Sequence, residues 1–139
     1  MQEREIMNRI SVKTPDKRDY EIVLNRGFEG ILEELSNLSL KDRRALIVTD
    51  KNVAPLYLNE LSSALKNGDI TSESYILEPG EESKTQESAM AIMEKLIEGN
   101  YKRTDMVIAL GGGVVGDISG YVSAVYHRGL VFIQIPTTL

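Results

Sequence analysis

The chain has 139 residues, of which 42% are hydrophobic and 27% charged, and a net charge of −5. This composition suits one soluble globular domain and excludes a disordered tail, a collagen-like repeat and a small disulfide scaffold. Without cysteine and with a single histidine, His127, the chain cannot build a thiolate zinc site, a catalytic thiol, a disulfide or a multi-histidine metal site, and its acidity argues against nucleic acid or an anionic membrane as partner.

The first residues, MQEREIMNRI, are charged and lack the apolar core of a signal peptide, and no later apolar run approaches the roughly 20 residues that span a bilayer. A cytoplasmic protein is expected. Ile10-Ser11-Val12-Lys13 and Tyr20-Glu21-Ile22-Val23-Leu24 alternate in polarity around Pro15 and Asp16, predicting an antiparallel pair at a sheet edge. Phe28, Ile31, Leu32, Leu35 and Leu38 recur at helical spacing, and residues 44–49 have the continuous apolar character of a buried parallel strand. The next helix is expected to be capped by Asn52, with Pro55 in its first turn, Leu58, Leu61 and Leu65 on its apolar face, and Gly68 as a left-handed terminator. A strand at 74–77 ends at Pro79-Gly80. Ser83-Lys84-Thr85-Gln86 fits a capping box for a helix that buries Ala89, Ile92, Met93 and Leu96 and stops at Gly99-Asn100. Residues 106–110 form a strand, Val115, Ile118, Val122 and Val125 a helical stripe, and residues 131–135 a last strand. The chain finishes directly after that run, which predicts that it is part of a longer protein.

Strands alternating with helices predict βαβ units: a Rossmann-like α/β fold with an open, mainly parallel sheet covered by helices on both faces. Ligands bind such sheets outside the carboxyl ends of the strands. That rule singles out the segments around Asp50 to Asn52, Glu78 to Lys84 and Gly111 to Asp117.

Gly111-Gly112-Gly113-Val114-Val115-Gly116-Asp117 follows a predicted strand and opens a predicted helix. Glycines there allow close backbone approach to a phosphate, and the helix N-terminus offers free N–H groups and a positive dipole end. The spacing satisfies G-x-G-x-x-G, although about 20 residues onward stand Pro136-Thr137-Thr138 rather than a ribose-binding acid. The competing reading is a bare tight turn. Asp50 is a ligand group or a helix cap; Glu81 and Lys84 are ligand groups or solvated surface, and a lysine at a helix start opposes the dipole. Tyr126-His127-Arg128-Gly129 closes the glycine-rich helix, where His127 is a cap or surface group and Arg128 a cap or a phosphate grip. Thr137 and Thr138 stand where hydroxyls meet a ligand.

Taken together, Leu110 to Asp117, Tyr126-His127-Arg128-Gly129 and Phe132-Ile133-Gln134-Ile135-Pro136-Thr137-Thr138-Leu139 closely resemble the 3-dehydroquinate synthase family. Thr49-Asp50-Lys51-Asn52-Val53-Ala54-Pro55-Leu56-Tyr57 and Pro79-Gly80-Glu81-Glu82-Ser83-Lys84 match it in order and approximate spacing, so the resemblance covers nearly the whole chain. It implies that residues 1–139 are an N-terminal dinucleotide-binding domain, lacking the C-terminal helical metal-binding domain and therefore inactive alone. The implied activity is conversion of 3-deoxy-arabino-heptulosonate 7-phosphate to 3-dehydroquinate and phosphate, a lyase step of the shikimate pathway. NAD and a divalent metal, Zn or Co, are the implied cofactors, with no metal ligand in this chain, and the full-length protein is implied to be a homodimer.

By the same resemblance Asp50 and Asn52 contact the adenosine side of NAD, and Glu81 and Lys84 its ribose. Gly112, Gly113 and Asp117 surround the pyrophosphate and nicotinamide ribose, and Thr137 and Thr138 complete the site. Arg128 resembles the family's substrate-phosphate arginine, which reaches a neighbouring subunit's site. Ser83 stands where a tyrosine is more usual, and His127 receives no role. The alternatives are a related sugar-phosphate cyclase such as a 2-deoxy-scyllo-inosose synthase, an iron-dependent alcohol or glycerol dehydrogenase, and a non-catalytic nucleotide-binding module.

Overall fold

The structure is a computed structural model that describes residues 8–40 and 43–137. Its elements run β1 (Asn8–Val12), β2 (Tyr20–Leu24), α1 (Ile31–Asn37), β3 (Ala45–Asp50), α2 (Ala54–Asn67), β4 (Ser72–Leu77), α3 (Gln86–Glu98), β5 (Met106–Gly111), α4 (Gly113–Val125) and β6 (Val131–Pro136). Short 3-10 turns occupy Glu81–Ser83 and Tyr126–Arg128.

The strands β4-β3-β5-β6 form a parallel sheet in that order. Side chains on a strand alternate between faces, and β3 and β5 are apolar at nearly every position because both of their faces are covered. Leu46 and Val48 of β3 and Val107 and Ala109 of β5 pack on one face with Ala89, Ile92 and Leu96 of α3 and Val115, Ile118 and Val122 of α4. The alternate residues Ala45, Ile47, Met106, Ile108 and Leu110 pack on the other with Leu35 of α1 and Leu61 and Leu65 of α2. The expected three-layer α/β domain is present. Val125 lies outside the expected stripe at 46% exposure, because α4 rotates it off the sheet in its last turn.

The antiparallel pair is also present, with Ile10 opposite Ile22, but it forms a two-stranded sheet of its own rather than an edge of the main one. Arg9 ties this ribbon to α1 through an ion pair with Glu34 and bonds Glu21 of the facing strand at 2.8 Å.

Three local expectations are corrected. Asn52 does not cap α2; the Asp50 carboxylate, at the end of β3, accepts from the Asn52 and Val53 N–H groups through Oδ1 at 2.9 Å each. Gly68 is not left-handed: Asp69 takes the positive φ of 61°, and Gly68 instead admits the Leu32 side chain of α1, which a Cβ would strike. Ser83 does not cap α3; Thr85 does, its hydroxyl accepting from Ser88 N–H at 3.1 Å, while Ser83 is buried in the preceding turn.

The register places the strand ends level. Asp50 pairs with Leu77, Val48 with Ala109 and Gly111 with Pro136, so the ends of all four parallel strands make one edge. At the opposite edge Asp105 accepts from Lys102 N–H at 2.8 Å and Arg44 N–H at 3.3 Å, and the Arg44 guanidinium lies 3.9 Å over the Tyr101 ring.

Candidate nucleotide-binding edge

The carboxyl edge is built around the step from β5 into α4. Gly111 leaves the strand and Gly112 precedes the helix with no side-chain cap on its first N–H groups. Each glycine answers a different constraint. A Cβ on Gly111 would sit 3.0 Å from the Val115 side chain, and one on Gly116 would run into Gln134 of β6, so these two let α4 close onto the sheet. Gly113 faces open space, with nothing among the described residues within 4 Å of a Cβ position. Packing gives no reason for glycine at that position. Free N–H groups, the positive end of the helix dipole and an unobstructed approach together form an anion cradle.

From the neighbouring strands come the other groups. Lys84, after β4, donates to Asp117 Oδ2 at the start of the second turn of α4 at 2.8 Å, so two candidate residues from different segments meet. This hydrogen bond and its charge hold the Lys84 pKa above the ordinary lysine value, with a smaller contribution from Glu81. Glu81 opens the 3-10 turn, which Ser83 fastens by donating its hydroxyl to Glu78 O at 2.5 Å. Lys51 forms an ion pair with Glu78, and its N–H donates to Leu77 O at 3.1 Å, joining the ends of β3 and β4. Asp50 fills the cap role anticipated as one of its readings, and Asn52 is exposed beside it.

Thr137 follows β6, and its N–H donates to Gly111 O at 3.2 Å, which fixes it against the glycine turn. Its hydroxyl is buried without a hydrogen-bond partner among the described residues. A buried polar group lacking a partner is destabilising, so this hydroxyl is suited to a ligand. Thr138 lies outside the described residues. An uncapped helix N-terminus, an open cradle at Gly113 and the Thr137 hydroxyl fit the anionic and hydroxyl-rich surface of a dinucleotide.

Arg128 is elsewhere. It precedes β6, whose first residue Val131 pairs with Met106 at the start of β5, so it lies at the opposite edge of the sheet. Crossing a strand of this length, or running back along the 13 residues of α4, covers roughly 20 Å. Among the described residues no cluster of three or more histidine, aspartate or glutamate side chains is arranged to hold a metal ion.

Sequence reasoning read Ser83 as a helix cap and not as the fastener of the 3-10 turn, and it gave Gln134 no part in this geometry. The signal for Gln134 was Gly116, a glycine inside a helix that marks close approach of another element as well as completing G-x-G-x-x-G.

A parallel sheet with helices on both faces and a glycine turn at the carboxyl edge defines a Rossmann-like domain. It superimposes with a TM-score of 0.76 on 2-deoxy-scyllo-inosose synthase in complex with carbaglucose-6-phosphate, NAD+ and Co2+, at 20% identity over 95% of this chain and 35% of that one. With the 2-epi-5-epi-valiolone synthase of Streptomyces hygroscopicus, bound to NAD+ and Zn2+, the TM-score is 0.67 at 28% identity, over 78% of this chain and 30% of that one. Residues 74–139 match the family described as 3-dehydroquinate synthase N-terminal. The 3-dehydroquinate synthase of Rhizobium rhizogenes is 40% identical over 123 residues, which is 88% of this chain and 33% of that protein. By sequence the chain is similar to 3-dehydroquinate synthases, and it spans about a third of the length of the curated relatives it matches. No helix among the described residues is long and apolar enough to cross a membrane.

Proposed function

We propose that this chain is the NAD-binding N-terminal domain of a 3-dehydroquinate synthase. The enzyme converts 3-deoxy-arabino-heptulosonate 7-phosphate to 3-dehydroquinate and phosphate in the cytoplasm, within the shikimate pathway. The observation that carries this reading is the convergence of Asp50, Glu81, Lys84, Gly112, Gly113, Asp117 and Thr137 on one edge of one parallel sheet. The 40% identity to a 3-dehydroquinate synthase, against 20% to a 2-deoxy-scyllo-inosose synthase, supports this activity over the related cyclase.

The α4 N-terminus and the open face of Gly113 receive the NAD pyrophosphate. Lys84 and Asp117 hold ribose hydroxyls, as donor and acceptor respectively, with Glu81 beside them. Asp50 and Asn52 line the adenosine side, and Thr137 with Thr138 donates hydroxyls at the nicotinamide end. When bound, NAD supplies a hydride acceptor that later returns the hydride. This chain's residues orient that cofactor and exclude water from its pyrophosphate. The divalent metal, Zn or Co, is assigned to a helical domain of the longer protein, and no step is attributed to it here.

Arg128, at the far edge, is assigned to the substrate phosphate of a neighbouring subunit in a homodimer. A single chain would have to bridge roughly 20 Å for its own Arg128 to reach its own cofactor edge. The longer protein is to be assayed for NAD-dependent phosphate release from the heptulosonate phosphate. Glucose 6-phosphate, whose carba analogue occupies the 2-deoxy-scyllo-inosose synthase complex, serves as the competing substrate. Turnover of glucose 6-phosphate in place of the heptulosonate would move the assignment to the related cyclase.

A further inference from the structure

Between α4 and β6 the chain reverses through residues 126–129. Gly129 N–H donates to Tyr126 O at 2.8 Å, and His127 (φ 49°, ψ 31°) and Arg128 (φ 63°) occupy the two positions between them. Two consecutive residues with positive φ, closed by an i to i+3 bond, make a type I′ turn. Such turns favour Asn-Gly or Asp-Gly, because a Cβ is crowded in the left-handed region. Here the glycine stands one place later, at Gly129, and both strained positions carry large side chains.

Folding gives little return for that choice. The turn is anchored from outside its tip: Tyr126 is buried, with its hydroxyl donating to Tyr101 O at 3.0 Å, and Leu130 N–H donates to Ser123 O at 2.7 Å. The His127 and Arg128 side chains are exposed, and among the described residues neither takes part in an ion pair. The His127 ring meets the Tyr126 ring edge-on, with centroids 4.4 Å apart. Strain kept at two exposed positions, with this one ring contact in exchange and none at Arg128, is characteristic of functional sites. The chemistry offered is two adjacent N–H-donating side chains, a guanidinium and an imidazole, which is chemistry for an anion.

We infer that His127 is a second anion-binding residue, donating beside Arg128 to the phosphate monoester of the substrate. The strained turn holds both side chains on one tip. This rests on the assignment of Arg128 to substrate phosphate, and it adds a residue that the resemblance left without a role.

Because His127 is the sole histidine in the sequence, its imidazole proton resonances report on this site alone. The 139-residue chain is titrated with inorganic phosphate at constant pH, against chloride at matched ionic strength. A saturable shift of the His127 signals, abolished in Arg128→Gln, is the expected result. A non-saturating drift, the same in chloride and in Arg128→Gln, overturns the inference. His127→Asn supplies the second arm, since asparagine suits the turn. It is expected to raise the melting temperature while raising KM for the phosphorylated substrate of the longer protein at least fivefold, with kcat and NAD affinity little changed. A higher melting temperature with unchanged KM would make the strain incidental and also overturn it. Failure of NAD to bind would count against the proposed function and leave the phosphate titration to decide this point separately.

Discussion

Lys84 and Asp117, 33 positions apart in sequence, meet at 2.8 Å across the carboxyl edge of the sheet. The contact explains why a lysine stands near a helix start, where the dipole disfavours it: its charge is directed at the Asp117 carboxylate of a different helix. Both side chains are about half exposed, with 48% and 61% of their surface accessible, so the pair contributes little to stability and is available to a ligand. Lys84→Met is therefore expected to leave the thermal melt nearly unchanged while weakening NAD binding at least tenfold by calorimetry. The sign with pH follows from the raised Lys84 pKa: the ammonium and its pairing are complete below the ordinary lysine value of 10.5 and are lost as pH climbs through the raised one. NAD affinity should then show no contribution from Lys84 titration between pH 6 and 9. A Lys84-dependent change in that window would contradict the pairing.

Arg128 offers the complementary case. It lies at the other end of β6 from Thr137, so its removal should separate substrate from cofactor. Arg128→Ala in the longer protein is expected to cut kcat/KM for the heptulosonate phosphate roughly 30- to 1000-fold, because a charged partner of the phosphate is lost. NAD affinity should stay near normal. Collapse of NAD binding in this variant would show that the two edges are not independent.

Tyr126 is buried at the base of the strained turn, and its hydroxyl donates to Tyr101 O at 3.0 Å. Burial also pushes its pKa up, so it remains a neutral donor at physiological pH. Tyr126→Phe leaves that carbonyl short of a partner and should cost about 1–2 kcal/mol in a chemical-denaturation experiment. A cost near zero would mean that water replaces the hydroxyl and that the anchor is the ring alone.

The layers were legible in the sequence because burial imposes periods. Two-face burial made β3 and β5 read as continuous apolar runs, and one-face burial put Leu61 and Leu65, or Ala89, Ile92 and Leu96, at helical spacing. Caps were legible as a neighbourhood and not as a residue. Asp50 replaced Asn52 and Thr85 replaced Ser83, since the path of the preceding loop decides which of several suitable side chains reaches the helix start, and after α2 the left-handed position fell one residue later, at Asp69. The Lys84–Asp117 contact was illegible because only the sheet order brings those segments together. The turn at 126–129 was illegible for the opposite reason: its sequence, Tyr-His-Arg-Gly, lacks the composition that its backbone shape favours.

The chain has a closed core on both faces of the sheet, so it should fold alone and melt cooperatively. It spans about a third of its curated relatives and offers no metal-binding cluster among the described residues. Phosphate release from the heptulosonate phosphate by the isolated chain should therefore stay at background. Metal-dependent turnover by these 139 residues would overturn the two-domain account.

The central claim is that the glycine edge receives NAD, and Gly113 tests it most directly because a Cβ there meets nothing within 4 Å among the described residues. Gly113→Val should leave the melt close to that of the parent, while intruding on the space reserved for the pyrophosphate. Calorimetric titration of NAD into the longer protein and its Gly113→Val variant is predicted to show one site per chain. The variant's affinity should be at least tenfold weaker, a loss of about 1.4 kcal/mol or more. Equal affinity in the two folded proteins would place the cofactor somewhere other than this edge.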